Sequence, residues 1–185
     1  MHAVRMSMKR RTIVGLAMLV FADRARAQMR LKMPEQWYGV EVEDNVFTVQ
    51  MPGIPDHRIV NDVSARGTPF QLHSYSLDAG GFSYVAQSAL YPDDVDAGDP
   101  RAILQAALDS RARRLEGGKW SKVDWRQTQG ATAVESVGPL RSGNSLRQLV
   151  LLKGRRFVSL AFLGSAGSVN SSEAQRFFNS LKLHR

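Results

Sequence analysis

Four aspartates form the strongest candidate for a metal site: Asp93, Asp94, Asp96 and Asp99. Carboxylate oxygens are the ligands that calcium prefers in proteins. An EF-hand loop that begins at Asp94 would need Asp or Asn at its fifth position, Gly at its sixth and Glu at its twelfth. The sequence has Gly98, Asp99 and Gln105 there, so the motif fails. We therefore expect a solvated loop leading into a helix amino terminus, where the helix dipole favours carboxylates, with calcium as the alternative.

No residue pattern predicts catalysis or a bound cofactor. The chain has no cysteine, which excludes disulfides, thiolate chemistry and cysteine-ligated metals. The histidines after residue 27, His57, His73 and His184, are isolated in sequence and form no H-x-x-x-H or H-E-x-x-H pair. The segment Ser165–Ser168 lacks the order of a nucleophile elbow. We predict a protein that is not an enzyme, with a hydrolase built from dispersed residues as one alternative.

Two groups of side chains are candidates for contact with a protein partner. Trp120 and Trp125 lie in a basic segment, where aromatic rings can stack on a ligand. Their odd spacing would place the two indoles on opposite faces of a regular strand, one in the core and one at the rim. The second group is an arginine face on the predicted middle helix: Arg111, Arg113 and Arg114.

The net charge of +8 is concentrated at the amino terminus. Residues 1–27 contain six basic side chains and one acid, a net +5, which leaves +3 for the remaining chain. A nucleic-acid partner therefore loses most of its compositional support, and we expect none.

The same 27 residues have the three-part order of a secretory signal. A basic start is followed by 11 apolar or small residues at 12–22 and then by Ala25-Arg26-Ala27, a small-x-small cleavage site before Gln28. Eleven residues are about half of what a spanning helix requires, so no permanent membrane span is expected after cleavage. We predict a signal peptide at 1–27, a leader segment at 28–36, one domain at 37–185, and a periplasmic or secreted location. The sequence leaves open Sec or twin-arginine export.

The domain alternates strand-like and helix-like patterns. Apolar residues at alternate positions, with turn residues between the segments, predict nine strands, at 37–42, 46–51, 58–64, 70–77, 82–91, 120–127, 131–137, 145–152 and 156–163. Asp99-Pro100 begins a helix that Gly117-Gly118 ends, and Asn170 caps a second helix whose apolar stripe includes Phe177 and Phe178. One antiparallel sheet covered by helices would bury these faces, which is an α+β fold.

Two short motifs resemble a known family. The segment 47–55 (FTVQMPGIP) and the segment 174–183 (AQRFFNSLKL) are similar to the opening and the close of small bacterial exported proteins related to PsbP, the extrinsic lumenal protein of photosystem II. The resemblance covers about residues 37–183. It implies an α/β/α sandwich with a central antiparallel sheet, and a non-catalytic accessory role that involves binding a protein.

We therefore hypothesise an exported accessory or binding protein that docks to another envelope protein. A small-molecule or lipid carrier with a pocket between sheet and helix is the main alternative. A sizeable apolar cavity would favour the carrier, and a filled core with an exposed aromatic patch would favour docking.

Overall fold

The computed structural model describes residues 36–43 and 45–184. The predicted signal peptide, its cleavage site at Ala27-Gln28 and all of the leader segment except Gln36 lie outside these residues. The described residues form ten strands: β1 (Tyr38–Val42), β2 (Phe47–Met51), β3 (Asp56–Val63), β4 (Pro69–Ala79), β5 (Phe82–Leu90), β6 (Lys122–Thr128), β7 (Ala131–Pro139), β8 (Ser145–Lys153), β9 (Arg156–Gly164) and β10 (Lys182–Leu183). The helices are α1 (Pro100–Ala112) and α2 (Ser172–Asn179), with short 3₁₀ turns at Glu116–Gly118 and Ser168–Asn170. Within the described ranges, neither helix has the length and apolar character that crossing a membrane requires.

Seven strands form one antiparallel sheet in the order β3-β4-β5-β9-β8-β7-β6. Most neighbours are joined by tight hairpins, and the exception is the pairing of β5 with β9, which brings together the two halves of the chain. The central strands β8 and β9 are buried on both faces, which explains the apolar runs at 149–152 and 160–163, although β8 also contains the buried polar residues Arg147 and Gln148. The edge strands β3 and β6 are mostly exposed.

Helix α1 packs on one face of the large sheet. Its residues Ile103, Leu104 and Leu108 are buried against apolar side chains from the sheet, including Val150 and Phe157. Asp99 caps this helix, because its side chain accepts a hydrogen bond from the backbone N–H of Ala102 at 3.0 Å. The predicted start of the helix is confirmed, but the helix ends at Ala112 rather than at the glycines.

A second, three-stranded sheet covers the opposite face of the large sheet, together with α2. Its order is β1-β2-β10, all antiparallel. The buried face of β2 is the predicted one, with Phe47, Val49 and Met51 at 0–1% exposure. The apolar stripe of α2 is also buried, and Ser171 rather than the predicted Asn170 caps that helix.

The predicted α/β/α sandwich, a central sheet flanked by helices, is wrong. The protein is mostly β: strands hold 51% of the described residues and helices 18%, and the strands divide into two sheets. The physical reason is that the first hairpin does not join the large sheet. It pairs with β10 and lies as a separate layer, so much of one face of the large sheet is buried by strands.

Candidate binding surface at one end of the large sheet

The three-stranded sheet and α2 do not cover the whole face of the large sheet. The core on this side includes buried residues of β5, β7, β8 and β9, whereas β4 contributes only partly buried residues and β3 contributes none. The β1–β2 turn marks the limit of the covering layer, because the backbone N–H of Glu43 donates to the Tyr75 hydroxyl at 3.3 Å. Beyond Tyr75, the described part of the chain leaves this face of β3 and β4 open.

Three exposed apolar side chains lie on this open face, around the side chains of Asn61 and Gln71, which share a hydrogen bond at 3.3 Å. Ile59 is 50% exposed, Val63 is 51% exposed and Leu90 is 47% exposed. The strand register pairs Ile59 with His73 and Val63 with Pro69, while Leu90 lies two residues after Ser88, the partner of His73. Since side chains on the same face recur at every second residue, all three project from one side of the sheet. We call Ile59, Val63 and Leu90 the apolar patch.

The patch adjoins a stack of aromatic rings that the sequence did not reveal. His57 lies over Tyr75 with ring centroids 4.2 Å apart, and His57 and His73 are 5.4 Å apart in a nearly parallel stack. The two histidines look isolated in sequence, but the β3–β4 register pairs His57 with Tyr75 and Ile59 with His73. Counting outward from the β3–β4 hairpin would have placed these rings on the same face.

An open groove of about 570 Å³ borders the apolar patch. His73 and Leu90 line one side of it, and Glu43, Asp94 and Arg155 are among its charged side chains. Glu43 forms an ion pair with Arg156 at 2.7 Å, which fixes the β1–β2 turn at the rim of the groove. The groove is therefore bounded by charged groups and continues into an apolar surface.

Asp94 organises the loop that forms one wall of the groove. Its Oδ2 accepts hydrogen bonds from the Ser64 hydroxyl at 2.5 Å and from the Thr68 hydroxyl at 3.0 Å. These hydrogen bonds favour the charged carboxylate and hold the pKa of Asp94 below its ordinary value. The loop after β5 is thereby attached to the turn between β3 and β4.

The four aspartates do not form a metal centre in the structure. Each bonds a different protein group: Asp93 pairs with Arg155, Asp94 accepts from two hydroxyls, Asp96 accepts from the Gly98 backbone at 2.9 Å, and Asp99 caps α1. Among residues 36–43 and 45–184, no three His, Asp or Glu side chains are grouped so that they could hold a metal ion.

The two candidate tryptophans lie on the same side of the sheet, and the expectation of opposite faces is wrong. Trp120 precedes β6, so strand alternation does not apply to it, and its indole N–H donates to the Leu108 carbonyl of α1 at 3.1 Å. Trp125 lies in β6 and packs beside the same helix, with the guanidinium of Arg101 4.6 Å above its ring. Both rings are half-buried and fasten α1 to the sheet.

The predicted arginine face of α1 is divided by the fold. Arg113 and Arg114 are exposed. Arg111 is buried at 9% exposure and points to the large sheet, so it is not part of a docking surface. Neither these arginines nor the tryptophans border the apolar patch, which residue types and spacing alone did not predict.

Comparison with known proteins adds no further constraint, because no family model, no curated protein and no solved structure matches this chain.

Proposed function

We propose that this protein is an exported, non-catalytic binding protein that docks an extended segment of another envelope protein. The observation that carries the proposal is the open end of the large sheet, where the free edge of β3 runs beside the apolar patch. An edge strand presents unpaired backbone N–H and C=O groups that can pair with an incoming strand. The patch would receive alternate apolar side chains of that strand.

The length of β3 and its exposed side chains suit it to pair with an incoming strand. β3 has eight residues and its exposed positions include two members of the patch, Ile59 and Val63. Three of the six large apolar side chains that are exposed in the described part of the chain belong to the patch. Their position on one face, around the hydrogen-bonded pair of Asn61 and Gln71, favours a docking surface over scattered exposure.

The carrier alternative has less support. The space between the large sheet and α1 is filled by side chains, and the cavity next to α1 is only about 10 Å³. A drug-sized ligand needs a pocket of about 300–1,000 Å³. The 570 Å³ groove is large enough, but it lies open at the surface beside the patch.

The hydrolase alternative has no supporting geometry in the described part of the chain. The Ser64 hydroxyl is buried and donates to Asp94. No hydrogen bond between a serine and a histidine side chain joins any residues in 36–43 and 45–184. A nucleophile with an adjacent base, which this class of reaction needs, is therefore not assembled there.

Site-specific photocrosslinking in the producing cells tests the docking proposal. A photoreactive amino acid replaces Ile59, and the matched control replaces Val123, which is 43% exposed on the opposite edge strand β6. We expect a discrete adduct with one exported protein at position 59, absent at 123, and weakened at least tenfold by Val63→Lys. An adduct of two copies of this chain, or equal labelling at both positions, would refute docking to a different protein.

Amino-terminal sequencing of the same preparation tests export. We expect the mature chain to begin at Gln28 and to be recovered from the periplasm or the medium. A full-length chain that retains Met1 in the cytosol would refute the proposed location.

A further inference from the structure

Two histidines, His57 and His73, lie close together on the open face of the large sheet. Their ring centroids are 5.4 Å apart, and the ring planes are 19° from parallel. The β3–β4 register explains this proximity, because His57 lies opposite Tyr75 and His73 is two residues from Tyr75 on the same face. The fold therefore makes neighbours of two rings that are far apart in the sequence.

The ring nitrogens of both histidines are accessible to a ligand from outside. Among residues 36–43 and 45–184, neither ring takes part in a hydrogen bond or an ion pair. His57 is exposed and His73 is partly exposed, and His73 also lines the open groove. Because neutral imidazole is the commonest metal ligand in proteins, two accessible rings side by side are suited to share one ion.

The distance between the rings is close to that of two imidazoles on one metal ion. An ion about 2.0–2.1 Å from a nitrogen of each ring would place the centroids about 4.5–5.2 Å apart, for square-planar or tetrahedral angles. The observed distance is 5.4 Å. Since the rings are nearly parallel, one of them must turn about its Cβ–Cγ bond before both direct a nitrogen to the same ion. This torsion is broad in histidine, so the turn costs little.

Tyr75 holds the His57 ring, which leaves His73 as the ring that turns. The rings of Tyr75 and His57 stack with centroids 4.2 Å apart and planes at 14°, and the Tyr75 hydroxyl accepts from the backbone N–H of Glu43 at 3.3 Å. The other paired residues of β3 and β4 on this face are uncharged: Ile59, Asn61, Val63, Pro69 and Gln71. A divalent cation beside the histidines would therefore meet no positive charge from these two strands.

We infer that His57 and His73 form a two-histidine site for a divalent transition-metal ion, with water in the remaining coordination positions. Imidazole nitrogen binds copper, nickel and zinc, and copper binds such ligands most tightly among the divalent first-row ions. The expected affinity is therefore higher for copper than for nickel or zinc. The site does not depend on the proposed docking function, so the failure of either one would leave the other standing.

A zinc titration of the full chain, followed by nuclear magnetic resonance of the histidine ring nitrogens, tests the site. The chain has four histidines, so each ring can be followed separately. We expect the signals of His57 and His73 to shift together, with one apparent dissociation constant and one ion for the pair. Different dissociation constants at the two rings would show that they bind separately and would overturn the site.

Three variants measure whether the two rings act as a pair. His57→Gln should raise the dissociation constant at His73 at least about tenfold, because the second coordination bond of a chelate is intramolecular. His73→Gln should do the same at His57. His184→Gln is the matched control, and it should leave both constants within about twofold, because that ring lies on neither strand. Unchanged zinc binding at His73 in His57→Gln would contradict the inference.

Electron paramagnetic resonance of the copper complex identifies the ligands directly. Every sample carries His2→Gln, because a histidine next to a free amino terminus also binds copper. The spectrum should show coupling to the nitrogens of two imidazole rings, and to one ring only after His57→Gln. Light scattering of the same samples should show one chain per ion. A complex of two chains on one ion would mean that each chain supplies one histidine, and the intramolecular site would be refuted.

Discussion

Replacing Phe177 with alanine should destabilise the protein by weakening the packing of α2 on the large sheet. The Phe177 ring is fully buried and meets Tyr84 edge-to-face, with centroids 5.4 Å apart and planes at 83°. An aromatic side chain buries about 150–250 Å², equivalent to about 4–6 kcal/mol of transfer free energy, of which alanine retains a part. The edge-to-face contact adds about 0.5–1.5 kcal/mol. We expect Phe177→Ala to lower the free energy of unfolding by about 4 kcal/mol.

Urea denaturation followed by circular dichroism measures this loss. With a typical slope of about 2 kcal/mol per molar urea, the midpoint should fall by about 2 M. Phe177→Leu should lose less, because it keeps most of the buried volume. Gln175→Ala, on the exposed side of the same helix, should change stability by less than about 0.5 kcal/mol. A loss below about 1.5 kcal/mol for Phe177→Ala would show that α2 is not seated on this core.

Three further changes test particular contacts. Asp99→Ala removes the cap of α1 and should cost about 1 kcal/mol in urea denaturation, and Asp99→Asn should cost less. The Ser64 and Thr68 hydroxyls lower the native pKa of Asp94, so its contribution to stability is present above the ordinary pKa of 3.8 and is lost as pH falls through the native pKa. Asp94→Asn should therefore flatten the pH dependence of Tm below about pH 4. An unchanged slope of Tm against pH would contradict this. Gln129 bridges to β10 by accepting from the Leu183 N–H at 2.8 Å, so Gln129→Ala should raise the hydrogen-exchange rate of that amide about tenfold, while amides of β8 should not change.

Alternation and helical spacing were sufficient to predict most individual elements. In β2 the buried face was predicted from the positions of Phe47, Val49 and Met51, and all three are buried. In α2 the spacing of Phe177 and Phe178 predicted the stripe that meets the core. These patterns work because local geometry fixes which side chains share a face.

The layer to which a strand belongs could not be predicted in this way. Alternation shows that one face of β1 or β2 is buried, but it does not show whether another sheet or a helix packs against that face. β10 has two residues, too few for a periodic signal. The division into two sheets follows from the β1–β2 hairpin, which pairs with no strand of the large sheet, so the error in the fold class follows from the placement of that hairpin.

Arg111 illustrates a signal that was present and misinterpreted. It follows Ala107 by four residues and Leu104 by seven, so helical spacing places it on the buried stripe of α1. The charge of Arg111 favours the surface, but its helical spacing correctly indicates a buried position. The apolar patch was missed for a different reason, since it depends on which part of a wide sheet the second layer leaves uncovered.

The pairing of β10 with β2 has a consequence for how the polypeptide matures. Thr48 pairs with Lys182, so the second layer joins the beginning and the end of the domain and cannot close until nearly every residue is available. If the chain is exported as proposed, a chain that is still crossing the membrane would keep the apolar faces of β2 and β9 uncovered. Protease accessibility of β2 during transit would then report when the last few residues arrive.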